Sequence, residues 1–194
     1  MLPNLKEEKL DPRVKRTRNL ILKSFEDLLA ERNFESISVQ DVTGKAQINR
    51  ATFYSHFEDK YDLLNQWISQ MFTQEIDKRM RDVCHYTHEN LRNLILAVCE
   101  FLAGLHSDCA QPHQQFESLV ETQIKNQIFD LLTHWLEETK ASLPTEIPAT
   151  VATWAIYGLA SQYSHAKKRP VLHEFVNEAL PLVAVNLEQF AQPA

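Results

Sequence analysis

Glycine is scarce in this chain of 194 residues, and its scarcity excludes several classes of nucleotide-binding enzyme. Only Gly44, Gly104 and Gly158 occur, so neither a phosphate-binding P-loop nor a dinucleotide-binding glycine fingerprint can be formed. The sequence also lacks the metalloprotease motif H-E-x-x-H and the hydrolase motif G-x-S-x-G. We therefore predict no catalytic residues, no cofactor and no enzymatic activity.

Cysteine is equally rare. The three cysteines are Cys84, Cys99 and Cys109. An odd number without the spacing of a disulfide framework is typical of reduced thiols, so we predict no disulfide.

One histidine and cysteine cluster has a spacing that a soft metal could use. His106, Cys109 and His113 are three and four residues apart, and Cys84 and His88 lie nearby in sequence. A proline interrupts the segment and no fourth ligand is identifiable. We predict no metal site, with a metal or redox sensor as the open alternative.

Long apolar runs are also absent. No run reaches the ~18 residues of a membrane-spanning helix, and the N-terminus lacks the apolar segment of a secretory signal. These absences predict a cytoplasmic protein with no membrane partner. At 44% hydrophobic residues, the chain can nevertheless bury a core, as one small and one larger helical unit.

The net charge of -6 is unevenly distributed. Residues 1–60 hold 11 basic and 10 acidic side chains, whereas residues 61–194 hold 9 and 16. Within the first part, a basic arm could lie along phosphates, after a helix start capped by Asp11 and Pro12. The arm consists of Arg13, Lys15, Arg16 and Arg18. The alternative is a solvated helix end.

Residues 37–60 fit two short helices separated by a turn, which is the pattern of a helix-turn-helix. Ser38 can cap the first helix together with the aspartate three residues later, and Asn49 can cap the second. The second helix carries Phe53 and Phe57 four residues apart, and we expect both to anchor it to a core.

Hydrogen-bond donors stand beside those two phenylalanines. They are Arg50, Thr52, Tyr54 and His56. An anchored helix can place such a set in a major groove. The sequence therefore predicts DNA binding.

The run T-F-Y-x-H-F-x-x-K, from Thr52 to Lys60, resembles the signature of the tetracycline-repressor (TetR) family of bacterial transcription regulators. The resemblance covers residues 12 to about 66. It implies a DNA-binding head at residues 1–60 and a larger helical domain for effector binding and dimerisation at residues 61–194. It further implies a homodimeric repressor that a small-molecule effector releases from operator DNA.

The resemblance also assigns roles to side chains of the head. Three are expected nearest the base edges: Gln40, Arg50 and Thr52. Four are expected mainly on phosphates: Ser38, Tyr54, His56 and Lys60. Asn49, which caps the helix, completes the predicted DNA-binding set.

Two positions of the head depart from the family pattern. The family usually has a small residue in place of Thr43 and a glycine in place of Gln47. We expect Gln47 to take a positive φ in the turn, with Asn49 as the alternative. These departures leave a second function open, in which the head has lost operator binding and docks a protein partner. Retention of the five donor side chains from Arg50 to Lys60 argues against it.

The remaining pattern predicts helices throughout and no strand. The first helix should end near Asn33, with an apolar face made of Val14, Ile21, Phe25, Leu28 and Leu29. Glu58 and Asp59 should open a long fourth helix that runs to about Cys84. Further helices are expected at about 88–106, 113–141 with room for one break, 148–166 and 172–191.

The last helix is apolar over too wide a face for one neighbour, since 12 of the 20 residues from Leu172 to Ala191 are apolar. We predict that the last two helices form the dimer interface, that a second subunit covers the remainder of this face and that Leu187→Glu disrupts the contact. The resemblance implies a four-helix bundle across a two-fold axis. The alternative is a helix central to its own subunit. Pro181 should bend or split it.

Aromatic side chains are abundant in residues 61–194, and the resemblance implies that some of them line an effector pocket. We select five that sit mid-helix on inferred inward faces: Trp67, Phe101, Phe116, Trp135 and Tyr157. A ligand there need only favour one of two dimer spacings to control DNA binding.

Overall fold

A computed structural model describes residues 11–80, 85–108, 114–138 and 144–191. Within these ranges the chain forms eight α-helices, one short 3₁₀ helix at Phe34–Ser36 and no strand, which confirms the all-α fold with an N-terminal helix-turn-helix. The α-helices are α1 (Pro12–Glu31), α2 (Val39–Ala46), α3 (Arg50–Tyr54), α4 (Lys60–Asp77), α5 (His88–Asp108), α6 (Gln114–Glu138), α7 (Glu146–His165) and α8 (Leu172–Ala191).

Helix α1 begins as predicted. The carboxylate of Asp11 accepts a hydrogen bond from the backbone N–H of Arg13 at 2.8 Å, and Pro12 occupies the first turn, where a missing N–H costs nothing. Four of the five predicted apolar residues are buried, but the expectation for Val14 was wrong. Its side chain is 36% exposed, because it lies about two turns before Ile21, the first buried residue of the helix.

The core of the head forms around aromatic side chains. Phe25, Phe53 and Phe57 are all buried, and the last two have ring centroids 5.7 Å apart. Helix α3 is shorter than predicted. It ends at Tyr54, and Phe57 lies three residues beyond that end. The two phenylalanines still anchor this segment as expected.

Helix α4 connects the head to the other helices. Its start is capped by Asp59, whose carboxylate accepts hydrogen bonds from two backbone N–H groups at 2.7 and 2.8 Å. Trp67 packs edge-on against Phe25 of α1, and Phe72 packs edge-on against Phe101 of α5. The helix ends at Asp77, and the predicted end near Cys84 lies outside the described residues.

Helices α5 to α8 form the larger helical unit, in which α5 and α6 both pack against α7 and α8. Helix α6 is continuous and has no break. Helix α8 also continues through Pro181, so it is not split there, and the alternative, a bend at Pro181, stays a prediction. Pro181 lies on the exposed face, where water can bond the carbonyl that loses its backbone donor.

The sulfur-containing and metal-ligating candidates fall largely outside the described residues, since Cys84, Cys109 and His113 lie there and the side chain of His106 is not described. Cys99 is a buried free thiol. The described part of the chain contains no group of three potential metal ligands. None of its helices is both long and apolar enough to cross a membrane.

Candidate DNA-binding surface and cavity

The start of α2 is fixed by a reciprocal cap. The backbone N–H of Asp41 donates to the Ser38 hydroxyl at 3.2 Å, and the N–H of Ser38 donates to the Asp41 carboxylate at 2.8 Å. Hydrogen bonds from Ser38, and after them the Arg32 guanidinium, lower the pKa of the Asp41 carboxyl. Ser38 is exposed at this helix terminus, where backbone N–H groups favour an anion.

The turn between α2 and α3 depends on Gln47, which has φ 54° and ψ 41°. This left-handed conformation confirms the expectation for Gln47, and the alternative is wrong because Asn49 has φ -83°. The N–H groups of Gln47 and Ile48 both donate back to carbonyls of α2. Thr43 is accommodated as well, since its buried hydroxyl donates to the Gln40 carbonyl at 3.2 Å.

Helix α3 is capped by Asn49, whose side-chain oxygen accepts hydrogen bonds from the backbone N–H of Thr52 at 2.7 Å and from its hydroxyl at 2.9 Å. Arg50 and Tyr54 are exposed, and 54% of Tyr54 is accessible. The buried Phe53 lies directly behind Tyr54, with ring centroids 5.4 Å apart. The cap and the buried ring thus hold a donor-bearing helix at the surface.

His56 and Arg18 flank the same segment and are both half-buried. The Arg18 guanidinium lies 4.9 Å from the centre of the Phe57 ring, so it is part of the head's packing as well as of the basic arm. Burial, and then the Arg18 charge, lower the pKa of the His56 imidazole. His56 is therefore neutral near neutral pH and can offer a phosphate a hydrogen bond without a full charge.

Lys60 has partners inside the head. Its ammonium donates to the carbonyls of Phe34, Glu35 and Ile37 at 3.3, 3.1 and 3.1 Å, and it lies 4.6 Å from the centre of the Phe34 ring. Lys60 thus ties the start of α4 to the 3₁₀ turn that precedes α2. The phosphate contact expected for Lys60 stays a prediction that competes with these contacts.

A cavity of about 360 Å³ lies among α5, α6 and α7. Its lining residues are Leu102, Leu105, Phe116, Glu117, Val120, Glu121, Trp154, Tyr157, Gly158, Ser161, Ser164 and His165. Two of the five predicted pocket residues, Phe116 and Tyr157, are among them. Trp154 was not selected from the sequence, although its exposed side chain forms part of the wall.

The other three predicted pocket residues do not line this cavity. Trp67, Phe101 and Trp135 are 6%, 8% and 0% exposed, respectively, and belong to the hydrophobic core. Their inward direction was inferred correctly, but inward faces in this fold meet packed side chains more often than a cavity. Their part in binding a ligand stays a prediction.

Charged groups meet aromatic rings at one end of the cavity. The Lys125 ammonium lies 2.7 Å from a carboxylate oxygen of Glu121 and 3.5 Å from the centre of the Trp154 ring. Burial raises the pKa of the Tyr157 hydroxyl to about 12, with smaller contributions from Glu121 and Glu117. The imidazole Nδ1 of His165 donates to the Ser161 carbonyl at 2.8 Å.

One aromatic pair joins the cavity to the head. Phe116, at the start of α6, lines the cavity, and its ring centroid lies 6.3 Å from that of Phe34. Phe34 is the residue whose ring and carbonyl both contact the Lys60 ammonium. A shift of the Phe116 side chain would therefore change the packing of Phe34, in the 3₁₀ turn that precedes α2.

Helices α7 and α8 present apolar side chains on their outer surface. The exposed set is Ile147, Val151, Trp154, Leu182 and Val185, with exposed fractions of 73, 46, 59, 68 and 62%. Leu187 is 0% exposed within the single chain. The prediction that Leu187 lies in the contact between subunits was therefore wrong, because its side chain packs inside its own chain.

The chain is similar to known transcription regulators in both sequence and fold. Residues 21–66 match the family model of bacterial regulatory proteins of the tetR family. The chain is 42% identical over 73 residues to the uncharacterised HTH-type transcriptional regulator YxbF of Bacillus subtilis, covering 37% of this chain and 19% of that protein. It is 40% identical over 52 residues to the dhaKLM operon activator DhaS of Lactococcus lactis, covering 27% of each.

The likeness of fold extends further than the likeness of sequence. A TetR-family regulator from Streptomyces coelicolor superimposes with a TM-score of 0.65 at 15% identity, covering 92% of this chain and 98% of that one. By sequence, the chain spans 19 to 39% of the length of the curated relatives it matches.

Proposed function

Because this chain belongs to the TetR family of transcriptional regulators and carries that family's DNA-binding helix-turn-helix, we propose that it is a homodimeric repressor released from its operator by a small-molecule effector. It would act in the cytoplasm, where its operator is. The observation that carries DNA binding is the presentation of α3, which is capped by Asn49, anchored by Phe53 and exposed at Arg50 and Tyr54.

We assign the DNA contacts by chemistry and exposure. Gln40, Arg50 and Thr52 read base edges, and the Arg50 guanidinium can bind guanine O6 and N7 together. Tyr54 and His56 contact phosphates with neutral donors, and the exposed residues of the basic arm add charge. Ser38 reaches a phosphate only if its hydroxyl exchanges its present bond to the Asp41 carboxylate for one to the phosphate. Lys60 contributes chiefly by holding the 3₁₀ turn in place.

The test begins with selection of genomic fragments by the purified full chain, followed by affinity measurements on the selected operator. Arg50→Ala should cost about 1–3 kcal/mol and relax preference at one operator position. Lys23→Ala is the matched control, because Lys23 is an exposed cation of α1 that pairs with Glu26 and Asp27 outside the proposed contact set.

Lys60→Ala separates the two roles of that lysine. If its role is structural, the variant loses stability along with operator affinity, whereas a pure phosphate contact would lower affinity and its salt dependence alone. If Arg50→Ala and Lys60→Ala both left operator affinity and its salt dependence unchanged, the DNA assignment would be abandoned. Failure to select any fragment would favour the protein-docking alternative.

Dimerisation is supported by the exposed apolar residues on α7 and α8. A two-fold axis through such a face gives an isologous interface, in which each copy offers the same patch. Two recognition helices can then reach successive major grooves about 34 Å apart. Sedimentation of the full chain at micromolar concentration tests this, and a monomer there would count against the proposal.

Control by an effector is supported by the cavity and by its contact with the head. A ligand that displaces Phe116 would press on Phe34, and through it on the turn that leads into α2. The ligand need only bind one conformation more tightly to shift the DNA-competent fraction. Phe34→Leu should preserve operator binding but weaken the response to any effector, which the same affinity assay measures.

A reporter gene placed behind the selected operator shows whether the protein represses or activates transcription. Repression predicts higher expression when the regulator is deleted. The relative DhaS is an activator, and an activator would give the opposite change.

A further inference from the structure

The cavity wall carries two carboxylates and one imidazole, that of His165, whose Nδ1 is already bonded to the Ser161 carbonyl. Two carboxylates, Glu117 and Glu121, line it one helical turn apart on α6, and among its described lining residues there is no lysine or arginine. The rest of the wall is largely apolar, with Leu102, Val120 and Tyr157 contributed by three different helices. A ligand that complements this wall has an apolar body and a positively charged group.

The chain itself shows how a cation binds here. The Lys125 ammonium rests against the carboxylate of Glu121 at 2.7 Å, over the Trp154 ring at 3.5 Å and near the Tyr157 ring at 5.6 Å. Carboxylate and aromatic faces together are the usual surroundings of a bound ammonium. The rim of the cavity thus already holds one organic cation, supplied by its own helix.

Glu117 is a second carboxylate of the same wall. It stands one turn before Glu121 and lines the cavity together with Tyr157, whose hydroxyl pKa is raised by burial and, to a smaller extent, by Glu121 and Glu117. Within the described part of the chain, Glu117 has no ion-pair partner. A second ammonium beside Glu117 would therefore meet a carboxylate that no cation of the described residues occupies, in a wall that also contains the Tyr157 ring.

We propose that the cavity binds an amphipathic organic cation, with its apolar body against Val120 and Leu102 and its charged group beside Glu117 and Tyr157. This proposal rests on the proposed function only where it calls the cavity the effector site. The predicted preference for a cation follows from the residues of the cavity wall, so a direct binding measurement tests it without DNA.

An anionic amphiphile is the competing class, and the geometry disfavours it. Its head group would face two carboxylates of the same charge, Glu117 and Glu121, which repel it. The nearest ammonium, Lys125, is already paired with Glu121, so an anion could gain it only by breaking that pair.

Calorimetric titration of the full chain with decylamine, decanol and decanoate tests the proposal, because the three probes share one chain and differ in head group. Decylamine should bind about fivefold more tightly than decanol, at one molecule per chain, and decanoate should bind more weakly than either. Glu117→Gln should remove most of the advantage of decylamine and leave decanol unchanged.

Two further variants sharpen the result. Lys125→Gln frees the Glu121 carboxylate and the Trp154 face, so it should tighten decylamine and leave decanoate no better bound. Glu138→Gln is the matched control, since Glu138 is exposed on the same helix and does not line the cavity. An equal effect of the Glu117 and Glu138 variants would overturn the proposal, because it would show adsorption to a negatively charged surface.

Decanoate binding more tightly than decylamine would overturn the proposal, and so would equal binding of decylamine and decanol. The effector role is measured separately, by titrating decylamine into the protein–operator complex. Site-specific decylamine binding without loss of operator affinity supports the cation site and counts only against effector control.

Discussion

Replacing Gln47 by glycine should stabilise the protein, although glycine usually weakens a chain element. Gln47 occupies the turn between α2 and α3 with φ 54°, and it is the one positive-φ residue other than glycine in the described ranges. Its side chain is exposed, and the described residues give it no side-chain hydrogen bond to lose. The substitution therefore changes backbone energetics and little else.

The size of the effect follows from two opposing terms. A residue with a Cβ pays roughly 1–2 kcal/mol to occupy the left-handed region relative to glycine. Glycine also lowers the free energy of unfolding by about 0.4–1 kcal/mol, because the unfolded chain gains conformational freedom at that position. The net gain for Gln47→Gly therefore lies between about 0 and 1.6 kcal/mol, with a midpoint just below about 1 kcal/mol.

Urea unfolding of the full chain, followed by circular dichroism at one fixed protein concentration, measures this gain. Gln47→Ala keeps the Cβ and should give no gain. Gln70→Gly is the matched helical control, since Gln70 is exposed within α4 and glycine there should cost about 1 kcal/mol. A loss of stability in Gln47→Gly would refute the reasoning and show that the turn relaxes to a different geometry.

Two further predictions concern buried and exposed positions. Leu182→Glu should leave the helical signal intact and give monomers by sedimentation, whereas Leu187→Glu should unfold the subunit, since an unpaired buried carboxylate costs several kcal/mol; a folded, dimeric Leu182→Glu would move the interface elsewhere. Burial raises the pKa of the Cys99 thiol to about 12. In a variant with Cys84 and Cys109 replaced by serine, iodoacetamide at mildly alkaline pH should therefore label Cys99 only after unfolding, as mass spectrometry would show.

Local signals were readable from the sequence because their partners are close in the chain. Asp11, Ser38, Asn49 and Asp59 each cap a helix through backbone groups two or three residues away. The positive φ of Gln47 was predicted from the resemblance, because the TetR family usually has a glycine at this position of the turn, and Asn49 was the alternative.

Contacts between distant segments were not readable in the same way. The three carbonyls that hold Lys60 lie 23 to 26 residues earlier, and no spacing rule connects them. Periodicity marked α8 as broadly apolar, but it could not show that Leu187 is covered within the subunit while Leu182 is not. The cavity depends on three helices at once, which explains why only Phe116 and Tyr157 were identified in advance.

Trp154 is at once part of the cavity wall and 59% exposed on the apolar surface of α7. A second subunit seated on that surface would cover the outer side of the same indole that borders the ligand. Ligand binding and subunit contact would then share one side chain. Effector affinity would therefore differ between the monomer and the dimer, and dilution that separates the subunits should change it.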